Sequence, residues 1–157
     1  MSNTVEIRPL QKSDLAGLLA LYAQLIEDDL PITPALAETR FDEMLAREGL
    51  TVFGGFVDDA LASTCVLIVV PNLTRGGMPY AFIENVVTDA GHRRSGLGRR
   101  TVKTAIDAAF AAGCYTVRLQ TGGTREGTLD FYRNCGFELT KHGLEVRRIP
   151  PRSALPG

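Results

Sequence analysis

The ten residues from Gly91 to Arg100 hold the densest group of side chains and backbone atoms that could bind an anion. The stretch reads Gly-His-Arg-Arg-Ser-Gly-Leu-Gly-Arg-Arg, so four arginines stand among three glycines. Glycines let the backbone approach a ligand closely, and a helix starting here would add unpaired N–H groups and a positive dipole end. Strand, glycine-rich turn and helix start together favour phosphate binding. The stretch is therefore predicted to bind a pyrophosphate.

Two common phosphate-binding motifs do not match this stretch. Gly91 and Gly96 have the spacing of the Walker A loop, but Leu97 and Gly98 stand where that loop has its Lys and its Ser or Thr. Thr101 occupies the place of the third glycine in the dinucleotide fingerprint. These differences disfavour triphosphate hydrolysis and dinucleotide binding. An ordinary turn with solvated arginines stays open as an alternative for these residues alone.

Glu84 and Asn85 interrupt the apolar run that comes just before the glycines. Residues Tyr80 to Thr88 are predicted to form a strand with apolar side chains on both faces, which is typical of a strand covered twice. Burying an unpaired polar group costs about 1–3 kcal/mol, and burying a charge costs more. Glu84 is therefore predicted either to pair with a neighbouring Arg or to line a cavity, and Asn85 to tie a bulge.

Hydrophobic periodicity predicts the elements that position these residues, because alternation favours strands and steps of three or four residues favour helices. The predicted order is β, α, α, β, β, β, α, β, α, β, β, which indicates an α/β fold with a mixed sheet and helices on its faces. The predicted strands cover residues 5–7, 51–57, 61–70, 80–88, 115–119, 137–139 and 144–149, and the predicted helices cover 13–28, 34–48, 97–112 and 125–135.

Length and composition narrow the class of protein. The 157 residues fit one domain, which we expect over 1–149, followed by a Pro-rich tail at 150–157. The net charge of -1 argues against a nucleic-acid or membrane-surface protein. No signal-peptide pattern, disulfide framework or metal-binding pair of cysteines is present, and His92 and His142 lack clustered carboxylates. We therefore expect a cytoplasmic protein without a metal.

Two motifs carry a resemblance to a known family. Arg93 to Gly98 fits the pattern Arg/Gln-x-x-Gly-x-Gly/Ala, and Leu129 to Phe137 contains Phe-Tyr-x-x-x-Gly-Phe. The chain thus resembles the GNAT superfamily of acyl-CoA-dependent N-acetyltransferases, whose fold is a mixed, mostly antiparallel sheet flanked by helices. Two further segments, Ile83 to Val87 and Gly113 to Val117, are similar to the glucosamine-6-phosphate N-acetyltransferase branch of that superfamily.

The resemblance implies acetyl-CoA as the acyl donor and assigns residues to hold it. Backbone amides of residues 94–99 would bind the pyrophosphate, arginine side chains would neutralise phosphate, and a neighbouring strand would pair with the pantetheine arm. Arg125 stands where family members often carry Asn, so it is expected to reach phosphate or substrate instead. The cofactor-binding residues implied in this way are Val86, Val87, Arg93, Arg94, Ser95, Gly96, Leu97, Gly98, Arg99 and Arg125.

The resemblance also implies the chemistry. Tyr132 would protonate the departing thiolate, since a phenol with a pKa of about 10 can do so for a thiol with a pKa of about 8.5 at little cost. Glu84 would accept the proton of the attacking amine through water, or hold its ammonium form. Asp28 and Asp29 could attract a cationic acceptor, although they oppose the helix dipole. The implied reaction is direct transfer to a primary amine of a small molecule in a ternary complex.

Other functions remain open on the sequence. The fold also suits a non-catalytic acyl-CoA sensor or an interaction module, or an enzyme that acetylates a protein or peptide amine. A cysteine hydrolase built on Cys135 and His142 is disfavoured, because Cys135 lies at an apolar helix end and is expected to fill the core. The sheet edges and the Pro-rich tail make a homodimer an expectation.

Overall fold

Five strands form one sheet whose spatial order follows the chain. The computed structural model describes residues 2–123 and 127–150. The sheet order is β1-β2-β3-β4-β5, in which the first three pairings are antiparallel and the last is parallel. This confirms the mixed, mostly antiparallel sheet. The strand bounds are β1 Val5–Pro9, β2 Leu50–Val57, β3 Ala60–Val70, β4 Tyr80–Thr88 and β5 Val117–Arg118.

Helices cover both faces of the sheet. They are α1 Leu15–Leu25, α2 Pro34–Ala46, α3 Leu97–Ala111 and α4 Thr128–Asn134. On one face α3 buries Val102, Ala105 and Ala109 against the sheet, and on the other face α1 and α2 bury Leu18 and Phe41. The sheet is thus the middle layer of three. Phe110, in the last turn of α3, is 55% exposed and stays outside this layer.

The connections between strands follow from local chemistry. Asp58 and Asp59, with φ of 47° and 66°, form the two-residue turn between β2 and β3. A parallel partner for β4 requires a crossover connection, which α3 provides. The first helix ends at Leu25, earlier than predicted, because Ile26 is already extended and Asp28 has a φ of 55°.

The C-terminal strands predicted at 137–139 and 144–149 do not form within the described residues, so that prediction was wrong. These strands would have to pair with β5 at the edge of the sheet. Because β5 has only two residues, it offers very few backbone groups for hydrogen bonds to another strand. Leu144 and Val146 are instead 93% and 101% exposed. The alternating pattern of residues 144–149 is typical of a strand, but within the described residues this segment pairs with no edge of the sheet. Arg125 and tail residues 151–157 lie outside the described residues.

Among the described residues, no helix combines the length and apolarity that crossing a membrane requires.

Candidate active site

The sheet opens into a cleft where β4 and β5 separate. The two strands pair only through Ala81 with Val117 and Phe82 with Arg118. Beyond those pairs, the second half of β4 faces residues 119–123 across a cleft of about 490 Å³. Within the described ranges, the N–H and C=O groups on that edge of β4 have no neighbouring strand. An extended ligand carrying amide groups can therefore pair with β4 along the cleft.

A bulge in the middle of β4 produces this opening. Asn85 has a φ of 50°, in the left-handed region that Asn tolerates better than most residues. The register between β3 and β4 shifts between Thr64 and Val66, which is the extra residue of a β-bulge. A bulge is thus present at Asn85, and its tie through the Asn85 side-chain amide stays a prediction. The prediction that β4 is covered on both faces was wrong at Glu84 and Asn85, which are both exposed.

The turn between β4 and α3 depends on unusual backbone angles. Gly96 caps α3 with a φ of 83°, and Arg94 has a φ of 62°. Glycine adopts this region freely, and a side chain at Gly96 would meet no atom within 4 Å. Glycine is therefore required at position 96 for its left-handed backbone angle and not for lack of space. At Gly98 it is steric, since an added Cβ would lie 2.5 Å from the hydroxyl oxygen of Thr88.

This turn presents hydrogen-bond donors that the protein itself does not use. Within residues 94–99, all of them described, five backbone N–H groups donate no hydrogen bond. A sixth, that of Leu97, reaches only the Ser95 hydroxyl, at 3.4 Å. Several N–H groups converging at a helix N-terminus form an anion site. The five unused donors are those of Arg94, Ser95, Gly96, Gly98 and Arg99.

The predicted arginines surround this turn in different ways. The Nε of Arg93 donates to the carbonyl oxygen of Thr88 at 3.3 Å, and its side chain lines the cleft. Arg94, Arg99 and Arg100 are exposed to solvent. The guanidinium groups therefore add positive charge around the donors without filling the space in front of them.

A brace from α1 fixes the other end of the turn. The Nε2 of Gln24 donates to Asp89 Oδ1 at 2.7 Å, and its Oε1 accepts from the Ala90 amide at 3.0 Å. Asp89 Oδ2 accepts from the Gly91 amide at 2.9 Å and lies 3.0 Å from His92 Nδ1. The bond from Gln24, followed by the one from His92, lowers the pKa of Asp89. The carboxylate is thus ionised at neutral pH and anchors the turn.

Sequence reasoning missed this brace. It gave His92 no carboxylate partner, whereas the half-buried ring is bonded to Asp89. Only the Asp-x-Gly spacing of Asp89 and Gly91, which is typical of a turn, pointed to Asp89. No local signal identified Gln24, because its partner lies 65 residues further along the chain.

Glu84 and Tyr132, the two predicted catalytic residues, line the same cleft. Of the two alternatives for Glu84, the cavity-lining one is observed, and the carboxylate forms no ion pair with the arginines in the described ranges. Tyr132 comes from α4, where its ring makes edge contacts with Phe131 and Phe137 at centroid distances of 5.1 and 6.1 Å. The site therefore joins residues from β4 and α4, on opposite sides of the opening.

Burial is the main influence on the Tyr132 hydroxyl. It raises the pKa of Tyr132, and the thiols of Cys135 and Cys65 and then the carboxylate of Glu84 raise it further. The phenol therefore stays protonated at neutral pH and can donate a proton into the cleft. The influence of Glu84 on Tyr132 also indicates that the two groups are close enough to interact electrostatically.

Other predicted candidates do not contribute to the cleft. Asp28 and Asp29 lie in an exposed turn after α1, and Asp29 Oδ1 accepts from the Leu30 amide at 2.8 Å. Cys135 is buried in the core, as expected for a packing residue. Within the ranges 2–123 and 127–150, no group of three or more His, Cys, Asp or Glu side chains could hold a metal ion.

Comparison with known proteins supplies the family. Residues 18–137 match the model of the acetyltransferase (GNAT) family. This chain belongs to the GNAT acetyltransferase family. Its activity is that of an N-acetyltransferase, which transfers the acetyl group of acetyl-CoA to a small-molecule amine. The resemblance inferred from the two sequence motifs is thereby confirmed.

Individual relatives cover nearly the whole GNAT chain. A glucosamine 6-phosphate N-acetyltransferase of Trypanosoma brucei brucei is 31% identical over 144 residues, which are 90% of this chain and 95% of the relative. A solved glucosamine-6-phosphate N-acetyltransferase from Arabidopsis thaliana has a TM-score of 0.82 at 25% identity, covering 93% of this chain and 99% of that one. A solved Agrobacterium tumefaciens protein, thought to be an acetyltransferase, has a TM-score of 0.88 at 43% identity, with coverage of 91% and 99%.

The steric role of Gly98 gives a first prediction. Gly98→Ala should weaken acetyl-CoA binding and destabilise the fold by about 1–3 kcal/mol, because the new methyl group overlaps the Thr88 hydroxyl. Adding Thr88→Ala to Gly98→Ala should restore most of both losses, as measured by calorimetry and thermal unfolding. The single variant Thr88→Ala is the control that measures the effect of removing the Thr88 hydroxyl by itself.

Gly96→Ala is the matched comparison, since it strains the backbone by about 1–2 kcal/mol without a clash. Thr88→Ala should not rescue it. Equal rescue of both glycine variants by Thr88→Ala would show that the steric assignment is wrong.

Proposed function

We propose that this acetyltransferase acetylates the amine of an amino-sugar phosphate, glucosamine 6-phosphate, by direct attack in a ternary complex. The observation that carries the proposal is the cleft itself, in which Glu84 and Tyr132 border the open edge of β4. The relatives from Trypanosoma brucei brucei and Arabidopsis thaliana are named for this acceptor. A non-catalytic acyl-CoA sensor would need neither an exposed carboxylate nor a neutral phenol in its binding cleft.

The same proposal assigns the donor site. The free amides between Arg94 and Arg99 would hold the pyrophosphate of acetyl-CoA, with Arg93 at the mouth of the cleft. The backbone of Val86 and Val87, just after the bulge, would pair with the amide groups of the pantetheine arm, because this edge of β4 has no strand beside it. Leu97 would contribute only its backbone, since its side chain is buried. We also propose that Arg125 contacts a phosphate or the substrate, as the sequence analysis expected.

Glu84 and Tyr132 would divide the proton transfers. An alkyl ammonium is mostly protonated at pH 7, so the acceptor must lose a proton before its lone pair can attack. Glu84 is exposed to the cleft and would take that proton through water. Tyr132 would return a proton to the departing sulfur, which is consistent with a pKa raised mainly by burial. No acyl-enzyme is required, because the three cysteines are buried.

An acceptor screen tests the proposed substrate. The full chain would be assayed with acetyl-CoA and glucosamine 6-phosphate, glucosamine, an amino acid, an aminoglycoside and a lysine peptide, by following thiol release. We expect the highest kcat/KM with glucosamine 6-phosphate. A higher value with the peptide would favour protein acetylation, and acetyl-CoA binding without turnover of any amine would favour the sensor function.

The proton-transfer roles give a second prediction. Tyr132→Phe and Glu84→Gln should each lower kcat by about 100-fold or more, because general acid–base groups contribute at least that much. Neither change should weaken acetyl-CoA binding by more than a few-fold in calorimetry.

Tyr22→Phe is a matched control for Tyr132→Phe. The Tyr22 hydroxyl is buried beside the Asn85 side chain but makes no hydrogen bond of acceptable geometry to any described residue. Its removal should leave kcat nearly unchanged. An unaltered kcat in Tyr132→Phe would remove Tyr132 from the mechanism.

We also infer that the enzyme works in the cytoplasm as a homodimer. The free thiols of Cys65, Cys114 and Cys135 are typical of a reducing compartment. The apolar side chains of the C-terminal segment are exposed, and exposed apolar patches beside an open strand edge favour association. Sedimentation equilibrium should give the dimer mass at micromolar concentration. The monomer mass alone would contradict the homodimer.

A further inference from the structure

Two arginines and two tyrosines cluster where β4 and β5 begin, next to the catalytic cleft. Arg118 Nη2 donates to the Tyr115 hydroxyl at 2.8 Å, and its guanidinium carbon lies 5.0 Å from the centre of the Tyr80 ring. Arg75 approaches the Tyr115 ring to 5.7 Å. Aromatic faces attract a guanidinium and limit its movement. The Arg118 side chain is therefore held in place by its neighbours.

The sheet register places Arg118 on the same face as Glu84. Paired residues of neighbouring strands point to the same side of a sheet, as do residues two apart in one strand. Arg118 pairs with Phe82, and Phe82 and Glu84 pair with Ile68 and Val66. The last two pack in the core cluster beneath α1 and α2. Arg118 and Glu84 therefore share the face that these helices cover, opposite α3.

Arg118 has hydrogen-bonding capacity that its neighbours do not use. A guanidinium carries five N–H donors, and only one bond from Arg118, to the Tyr115 hydroxyl, is made to a described residue. Within residues 2–123 and 127–150 no carboxylate lies within 4.0 Å of it, whereas Arg8, Arg40 and Arg133 all have acidic partners. A half-buried guanidinium that is held in place and lacks a counter-ion is suited to bind an anion.

The spacing between Arg118 and Glu84 suits one sugar ring. Strand geometry sets their Cα atoms about 8 Å apart, from two residues along β4 and one strand spacing across to β5. The guanidinium lies over Tyr80, two residues further from Glu84 than Phe82 is, so a ligand that reaches both groups must span more than this Cα spacing. A pyranose with an amine on the ring and a phosphate on its exocyclic carbon has that extra length. A simple amine would reach Glu84 alone.

We propose that Arg118, held by Tyr80 and Tyr115, binds the phosphate of the acceptor and makes the enzyme select phosphorylated amino sugars. This role rests on the proposed function, since it presumes that a primary amine is acetylated at Glu84. Phosphate bound at Arg118 would orient the sugar so that its amine faces Glu84. Arg118 thus acts in specificity, and the proton transfers remain with Glu84 and Tyr132.

The test compares two acceptors in three variants. For Arg118→Ala, we expect KM for glucosamine 6-phosphate to rise about 10- to 100-fold with little change in kcat, because a charge-assisted contact made equally in ground and transition states is lost. The kinetic constants for glucosamine should stay within about two-fold. Arg118→Lys should be intermediate, since it keeps the charge but loses the forked geometry. Arg40→Ala, on the exposed surface of α2, should match the unmodified enzyme.

The outcomes separate this inference from the proposed function. If the unmodified enzyme does not prefer glucosamine 6-phosphate over glucosamine, the proposed acceptor is wrong. If it does and Arg118→Ala keeps the preference, the role of Arg118 is overturned. A loss of activity with both acceptors and of acetyl-CoA binding would indicate a structural role. If Arg118→Ala does not fold, Arg118→Lys decides: an unchanged preference overturns the role, and a selective rise in KM for the phosphorylated sugar supports it.

Discussion

The unused backbone donors at the start of α3 are the constraint on which the site depends. A helix always leaves its first N–H groups without internal partners, and water or a ligand must satisfy them. Here the left-handed angles of Gly96 and Arg94 gather these groups in one place. The brace between Gln24 and Asp89 fixes the loop from the opposite side. The donors are therefore organised before any anion arrives, which reduces the ordering that binding requires.

The bulge at Asn85 links this donor region to the reaction chemistry. It lies directly after Glu84, whose carboxylate is exposed, and Tyr132 lines the same cleft from α4. One local departure from regular geometry therefore lies beside the acidic and the phenolic group of the cleft. Bulges are common next to active sites.

Local patterns predicted much of the fold and part of the site. The glycine spacing, the β2–β3 turn and the helix after the glycines could be inferred because each depends on residues close in sequence. The bulge after Glu84 is a register shift against β3, which alternation alone does not encode. The Gln24–Asp89 bond joins residues 65 positions apart. The apolar alternation near Val146 predicted a strand, but a strand also needs an edge to pair with, and β5 is too short.

The order of the strands determines when the cleft can exist during folding. Strands β1 to β4 each pair with the strand next to them in the chain, so turns and short loop closures can bring most of them together. The pairing of β5 with β4 needs the crossover through α3 to close, because it joins Ala81 to Val117. The cleft lies along that pairing. A chain in which β5 has not yet paired has a core but no complete catalytic groove, so substrate binding reports that this crossover has closed.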